Sequence, residues 1–385
     1  MPGCRFRLVI VSAAISLLYA PSLFSAEMLR LTESGDFKPL SEYEQKVAQV
    51  KKLVEDGECE AAKEAYEQLK KDFPQALGLD AGDPRSLRAF DDFVEAEMYL
   101  CKRKFATAVK SYRQFLYRYP HKRQFAEVAL DRQLYIARRF LAGERRKLLL
   151  FFKIKRYGEA RRIIERIIDR ETMDSPIGLA AAKTMAESYE ERRKFEDAYD
   201  WWFRIHDAAF NSWYNIGLQL TPENRGMDRL AREELLVRQA EASLRRIDAL
   251  LPMARCQHAA YREPKYDTSA LEVARRHYKE FIEYFRQLLD SGKVNSDKII
   301  KQLRENVQKL NRSQEIDVER IIDVINDQLA KINEQLAYKQ FCIGRYYEDT
   351  GNNLAANAYY RMIKDVYDVN EGTLEKWQQI HSQKR

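Results

Sequence analysis

The side chains that could do chemistry are few and scattered. Five histidines occur, His121, His206, His258, His277 and His381, and none is spaced as HExxH or any other zinc-ligand pair. Five cysteines occur. Cys4 stands near the start, and Cys59, Cys101, Cys256 and Cys342 form no CxxC pair or metal spacing. In an exported chain such thiols can pair as disulfides. Placed in helices, they are expected here as small buried hydrophobes. There is no GxSxG, no phosphate-binding GxxxxGK[ST] and no GxGxxG. Carboxylates are abundant, but they fall on solvated helix faces and no catalytic pair stands out. The chain is expected not to be an enzyme and to need no cofactor.

One patch breaks the pattern. Arg145, Arg146, Lys147, Lys153, Lys155 and Arg156 flank Leu148, Leu149, Leu150, Phe151, Phe152 and Ile154. A basic–apolar–basic segment can dock on a partner protein, lie on an anionic membrane surface, or form a buried helical extension with solvated ends. All three readings stay open, and Arg145, Arg146, Lys147, Leu149, Phe151, Phe152 and Lys153 are the candidate contacts. Trp201 joins them: it is rotated by about 100° from the packing position of its neighbour Trp202.

The elements that must carry these residues are helices. Gly (14) and Pro (10) are scarce among 385 residues, and hydrophobic residues make up 45%. Lys and Arg (66) barely outnumber Asp and Glu (59), and both signs are interspersed. That is the surface of amphipathic helices, not a nucleic-acid footprint, and no nucleic-acid partner is expected.

Those helices repeat. Ala96, Tyr99, Ala108, Tyr112, Phe115 and Pro120 recur in order as Ala186, Tyr189, Ala198, Trp202 and Ile205, and as Gly344, Tyr347, Ala356, Tyr360 and Ile363. A weaker copy is Val50, Leu53, Ala62, Tyr66, Leu69 and Pro74. The small residue lets a second helix approach, the large residue one turn later fills the gap beside it, and a small Ala with an aromatic four residues on closes the crossing. One hairpin cannot bury its own apolar face, so neighbours must stack. The spacing is that of the tetratricopeptide repeat. A third unit, Ala137 and Phe140 with Ala160, Ile164 and Ile167, carries an insertion of about 11 residues near 142–152. A fifth pairs a long helix around Leu230–Leu251 with Ala274, Tyr278 and Phe281. Val318, Ile322, Ile325, Leu329, Ile332 and Leu336 alternate by four and three on one long helix. That seam is expected to pack back along the repeats.

The organisation expected is therefore an all-α, right-handed solenoid of tetratricopeptide-like hairpins behind an N-terminal signal peptide. Residues 1–26 are the signal: Arg5 and Arg7 precede an apolar run from Leu8 to Ala20, too short to span a bilayer, with Ser25 and Ala26 at a cleavage site. Retention of this segment as an anchor is the alternative. Residues 27–40 are a linker and 41–208 the N-terminal repeats. Residues 209–286 are a middle unit with an extended loop, and 287–315 a polar, weakly packed connector. The long helix and C-terminal repeat fill 316–370, and 371–385 is a tail.

Several stretches go further than the repeat. They are "KRKFATAVKSYRQFLYRYP", "DRQLYIARRFLAGERR", "RYGEARRIIERII", "ESYEERRKFEDAYDWW", "KYDTSALEVARRHYKEFIEYF" and "AYKQFCIGRYYEDTGNNLAANAYYRMIKDVYD". In these, and in their order, the chain resembles the BamD family of outer-membrane β-barrel assembly factors. The resemblance implies a periplasmic scaffold at the inner face of the outer membrane. Its C-terminal repeats would hold the barrel-forming assembly protein and its N-terminal repeats would meet unfolded outer-membrane proteins. The family's lipid-attachment cysteine follows its signal, whereas Cys4 precedes this apolar run, so no lipid anchor is carried over. A periplasmic adaptor in division or secretion is the alternative function, and an envelope enzyme using the solenoid as a platform is a third.

Overall fold

The computed structural model describes residues 29–31, 37–39, 41–79, 83–143, 145–147, 153–221, 228–261, 267–290, 303, 306–310, 318–367, 369 and 371–382. The signal-peptide reading of residues 1–26 lies outside them. The described chain is almost wholly helical and falls into two compact units, residues 1–122 and 123–385.

In the first unit a two-stranded ribbon, β1 (Leu29–Leu31) and β2 (Phe37–Pro39), precedes four helices, α1 (Glu42–Asp56), α2 (Cys59–Asp72), α3 (Pro84–Cys101) and α4 (Phe105–Arg118). Helix α1 starts on a capping box in which Ser41 and Glu44 satisfy each other's backbone N–H. Helix α3 starts on Asp83 with Pro84 in its first turn. Ala62, Ala96 and Ala108 are fully buried at the crossings. Around them Tyr66, Phe93 and Phe115 meet edge to face, at 6.2 and 5.7 Å between centroids. The fully buried Glu97 carboxylate accepts hydrogen bonds from the Tyr66 and Tyr112 hydroxyls, which offset its desolvation. Both phenols occupy the same repeat position, so the repeat itself builds this polar joint.

One expectation about the cysteines is overturned here. Cys59, at the start of α2, and Cys101, at the end of α3, form a disulfide rather than two buried thiols. Cys256 and Cys342 are free. Sequence spacing could not pair residues 42 apart; the helix ends meet only because α2 and α3 pack antiparallel.

The second unit continues with α5 (Arg123–Leu141), a second ribbon of β3 (Arg145–Lys147) and β4 (Lys153–Lys155), then α6 (Tyr157–Glu171), α7 (Pro176–Glu191), α8 (Phe195–Gln219), α9 (Arg229–Ala260) and α10 (Ser269–Asp290). Residues 306–310 are helical. Three helices close it, α11 (Val318–Asp349), α12 (Asn353–Tyr367) and α13 (Glu371–Ser382). Helix α8 runs straight across residue 209, where the middle unit was expected to begin.

The hairpin turns are near copies of one another. The N–H of Glu58, Lys104, Lys194 and Asn352 donates to the carbonyl of Leu53, Tyr99, Tyr189 and Tyr347 respectively, at 2.8–2.9 Å. The residue just before each donor is left-handed: Gly57 (φ 87°), Arg103 (54°), Arg193 (57°) and Gly351 (79°). This is the Schellman closure of a helix C-terminus. The carbonyl of each donor residue then receives the N–H of Ala62, Ala108, Ala198 or Ala356, so the same residue starts the next helix. The large residue that the spacing put in the gap is only half buried; its backbone, not its side chain, ends the helix.

The core of the second unit joins Leu250, Tyr278, Phe281 and Phe285 to Ile321, Ile325, Ile332, Leu336 and Phe341. The heptad seam of α11 is thus spent inside the unit. Leu303 and Val307 sit in the same core, and Asn306 Nδ2 donates to Asp248 Oδ1 at 2.6 Å. Part of the stretch read as a weakly packed connector is therefore firmly held. Two apolar residues spaced by one helical turn achieve this despite the polar composition around them. The tail also folds: Trp377 of α13 is buried, 5.2 Å from the Tyr338 ring.

Candidate functional site

Helix α8 shows two faces. Ala198, Trp202, Ile205, Ala209 and Ile216 form the buried one. A second stripe, Tyr199, Phe203, His206, Phe210 and Tyr214, lies beside it at helical spacing. Its rings stack in sequence: Tyr199 on Phe203 at 6.3 Å, Phe203 on His206 at 6.5 Å, and Phe210 on Tyr214 at 6.3 Å. Phe203 is 48% exposed and Tyr214 52%. Leu218 on the same helix and Leu230 and Val237 on α9 are also exposed. Several large apolar side chains on the paired ends of two helices are more than the scatter expected of a surface.

The stripe borders a cleft of about 380 Å³. Its lining comes from three helices: Phe210 and Trp213 from α8, Gln239, Ala240, Ser243, Arg246 and Ile247 from α9, and Tyr284, Gln287 and Leu288 from α10. Helix lengths explain its position. At 25, 32 and 22 residues, α8, α9 and α10 outrun the 14–15 of α2, α4 and α12. The extra turns carry Phe210, Trp213 and Tyr284.

The Arg246 guanidinium sits over three rings, 4.2 Å from Tyr284, 5.2 Å from Phe210 and 5.9 Å from Trp213. Its Nε is buried and makes no hydrogen bond. Next along the stripe, burial, with the charge of Arg246 second, pulls the His206 imidazole down from 6.5 to about 4, so the ring is neutral at pH 7. Burial likewise lowers His277, whose Nδ1 lies 3.1 Å from Glu280 Oε2 and whose Nε2 lies 3.2 Å from the Tyr199 hydroxyl. The Tyr199 contact ties α8 to α10.

The residues singled out in the sequence fare differently. Trp201 is 6% exposed and stacks under Arg204 at 4.3 Å, so it is not a surface contact. Both Trp201 and Trp202 are buried because α8 is covered over more than one face. Residues 145–147 and 153–155 pair as an antiparallel ribbon where one reading had a helical extension. Arg145 pairs with Lys155, Arg146 with Ile154 and Lys147 with Lys153. Leu149, Phe151 and Phe152 lie outside the described residues. Sequence reasoning missed Phe203, Phe210, Trp213, Tyr214, Arg246 and Tyr284. The signal was present: a second aromatic series on α8, one position out of register with the packing series.

A second polar cluster is a joint between helices. Glu190 of α7 accepts from Trp202 Nε1 at 2.6 Å and from Arg255 Nη2 at 2.7 Å. Burial raises the thiol of the neighbouring Cys256 far above the range of a reactive cysteine. Among the described residues no three of His, Cys, Asp and Glu converge to hold a metal ion, and no helix is long and apolar enough to cross a membrane.

No family model matches the chain, and no curated protein does. Among solved structures, the apo form of the quorum sensor NprR from B. thuringiensis is similar over 84% of this chain and 86% of that chain, at 12% identity and a TM-score of 0.23. A superposition that loose carries no argument about what this protein does.

Proposed function

We propose that this protein is a non-catalytic scaffold that binds other polypeptides. The observation that carries the reading is the cleft of α8, α9 and α10 with its exposed aromatic track: rings along a helix offer contact area to a chain of varied sequence at low entropic cost. The Cys59–Cys101 disulfide supports an oxidising compartment, which agrees with the signal-like N-terminal run. Taken with the BamD-like stretches, these features make the finer reading a periplasmic factor at the inner face of the outer membrane. There it would engage the barrel-forming assembly protein and unfolded outer-membrane proteins. The test is direct binding of the purified chain to a urea-unfolded outer-membrane barrel protein on dilution, beside cross-linking in intact envelopes. Micromolar binding that competes with folding, and cross-links to a barrel-forming protein, are expected. Cross-links to division or secretion proteins alone would reassign it as an adaptor, and no polypeptide binding would overturn the scaffold reading.

A further inference from the structure

We infer that the cleft around Arg246 is the docking site for an extended polypeptide segment presenting an aspartate or glutamate next to an aromatic residue. This deepens the scaffold reading and rests on it. The guanidinium has three ring neighbours but, among the described residues, no hydrogen bond or ion pair. Its neighbours on α9 do better: Arg255 is chelated by Glu190, and Arg245 donates to the Asp174 carbonyl at 3.0 Å. Rings satisfy the faces of a guanidinium, not its N–H edge, and that edge is a fork matched to a carboxylate. Acids on α8 and α10 hold other partners. Glu280 lies against His277, Asp207 accepts from Asn211, and Glu283 accepts from Gln287. Among the described residues the lining of the cleft thus contains one cation, Arg246, and no carboxylate, with Phe210, Trp213 and Tyr284 as its walls.

The occupant's class follows from the surroundings. A volume of about 380 Å³ lies near the low end for small-molecule sites, enough for a ring and a carboxylate. The aromatic track continues beyond it along α8. From Phe203 to Tyr214 it covers about 16 Å at 1.5 Å per residue. That is roughly five residues of extended chain. A polypeptide uses both the anchor and the track, whereas an isolated anion uses only the first.

The probe is a fluorescein-labelled octapeptide with a central Phe-Asp-Phe, compared by anisotropy with the same peptide carrying Asn for Asp. On the unaltered full chain the Asp peptide is expected to bind roughly tenfold tighter, the share of a charged hydrogen bond. Arg246→Met should erase that difference, Arg246→Lys should keep part of it, and Phe210→Ala should weaken both peptides alike. Melting curves report whether each variant folds, and the Asp/Asn comparison needs no variant. Equal binding of the two peptides, no binding of either, or a difference that survives Arg246→Met overturns the inference. If the chain meanwhile still binds the unfolded barrel protein, the scaffold reading stands alone; if it binds no polypeptide, both fall.

Discussion

Breaking the Cys59–Cys101 bond should loosen the first unit by an amount that its position sets. The two sulfurs close a loop of 42 residues holding most of α2 and all of α3 before its last residue. Loop closure of that length removes about 13 cal/mol/K from the unfolded ensemble, or about 4 kcal/mol at 25 °C, in the chain-entropy treatment. The helices stay packed without it, because Tyr66, Phe93 and Tyr112 meet around Glu97 whether or not the bond exists. The loss should therefore be one of stability, not of fold. All four tryptophans lie in the second unit, so fluorescence is blind to the effect. Hydrogen exchange read by peptide mass sees it: protection across α2 and α3 should fall by up to about a thousandfold on reduction, and in Cys59→Ala/Cys101→Ala, at tenfold per 1.4 kcal/mol. A change below tenfold would refute the argument, and with it the support this bond lends to an oxidising compartment.

Three other outcomes follow from single positions. Arg103 and Arg193 hold left-handed backbone at exposed turns where the sister repeats have glycine, so Arg103→Gly and Arg193→Gly should each add about 0.5–1 kcal/mol in urea unfolding. Gly344→Ala should gain about 1 kcal/mol by helix propensity alone. The new Cβ would lie 2.7 Å from the Tyr360 ring, however, and overpacking of about 1–3 kcal/mol makes the net effect a loss, read as a lower midpoint. His206, His258 and His277 are all held below 6.5 by burial. The unfolded chain then binds more protons than the folded one between pH 6.5 and about 4. Stability is present above pH 6.5 and lost as pH falls through that window, by about 2 kcal/mol for the partly exposed His206 alone. His206→Gln should flatten the tryptophan-detected melting temperature across the same window.

The repeat was legible because its signal is local. Small residues at Ala96, Ala108, Ala186, Ala198 and Ala356 can serve only a close crossing, and all are buried. Pairing across the fold was not legible. Cys59 and Cys101 each read as one more small hydrophobe until the antiparallel packing of α2 on α3 brought them together. Leu303 and Val307 were lost in polar composition, since two apolar residues in a polar stretch register as noise without the core they fill. Trp201 misled for a related reason. A helix position 100° from a packed ring is exposed only when one face is covered, and α8 has neighbours on more than one side.

The cleft escaped notice because the same residue types do two jobs on one helix. Trp202 and Ile205 pack; Phe203, one residue beyond Trp202, and Phe210, five beyond Ile205, do not. Counting aromatics treats both series as core. What separates them is phase, which already shows at Phe203 and runs on past Ala209, where α8 continues for ten more residues beyond the repeat. On those turns Ile216 is buried, whereas Phe210, Tyr214 and Leu218 stand exposed together, more apolar surface than stacking alone calls for. Their exposure beside Arg246, which pairs with no acid among the described residues, is what the proposed docking site accounts for. Shortening the hairpin to the repeat length, by removing 211–238 and rejoining α8 to α9, should accordingly leave the core around Phe281 and Phe341 folded while abolishing peptide binding. Loss of the fold instead would mean that these turns serve packing after all.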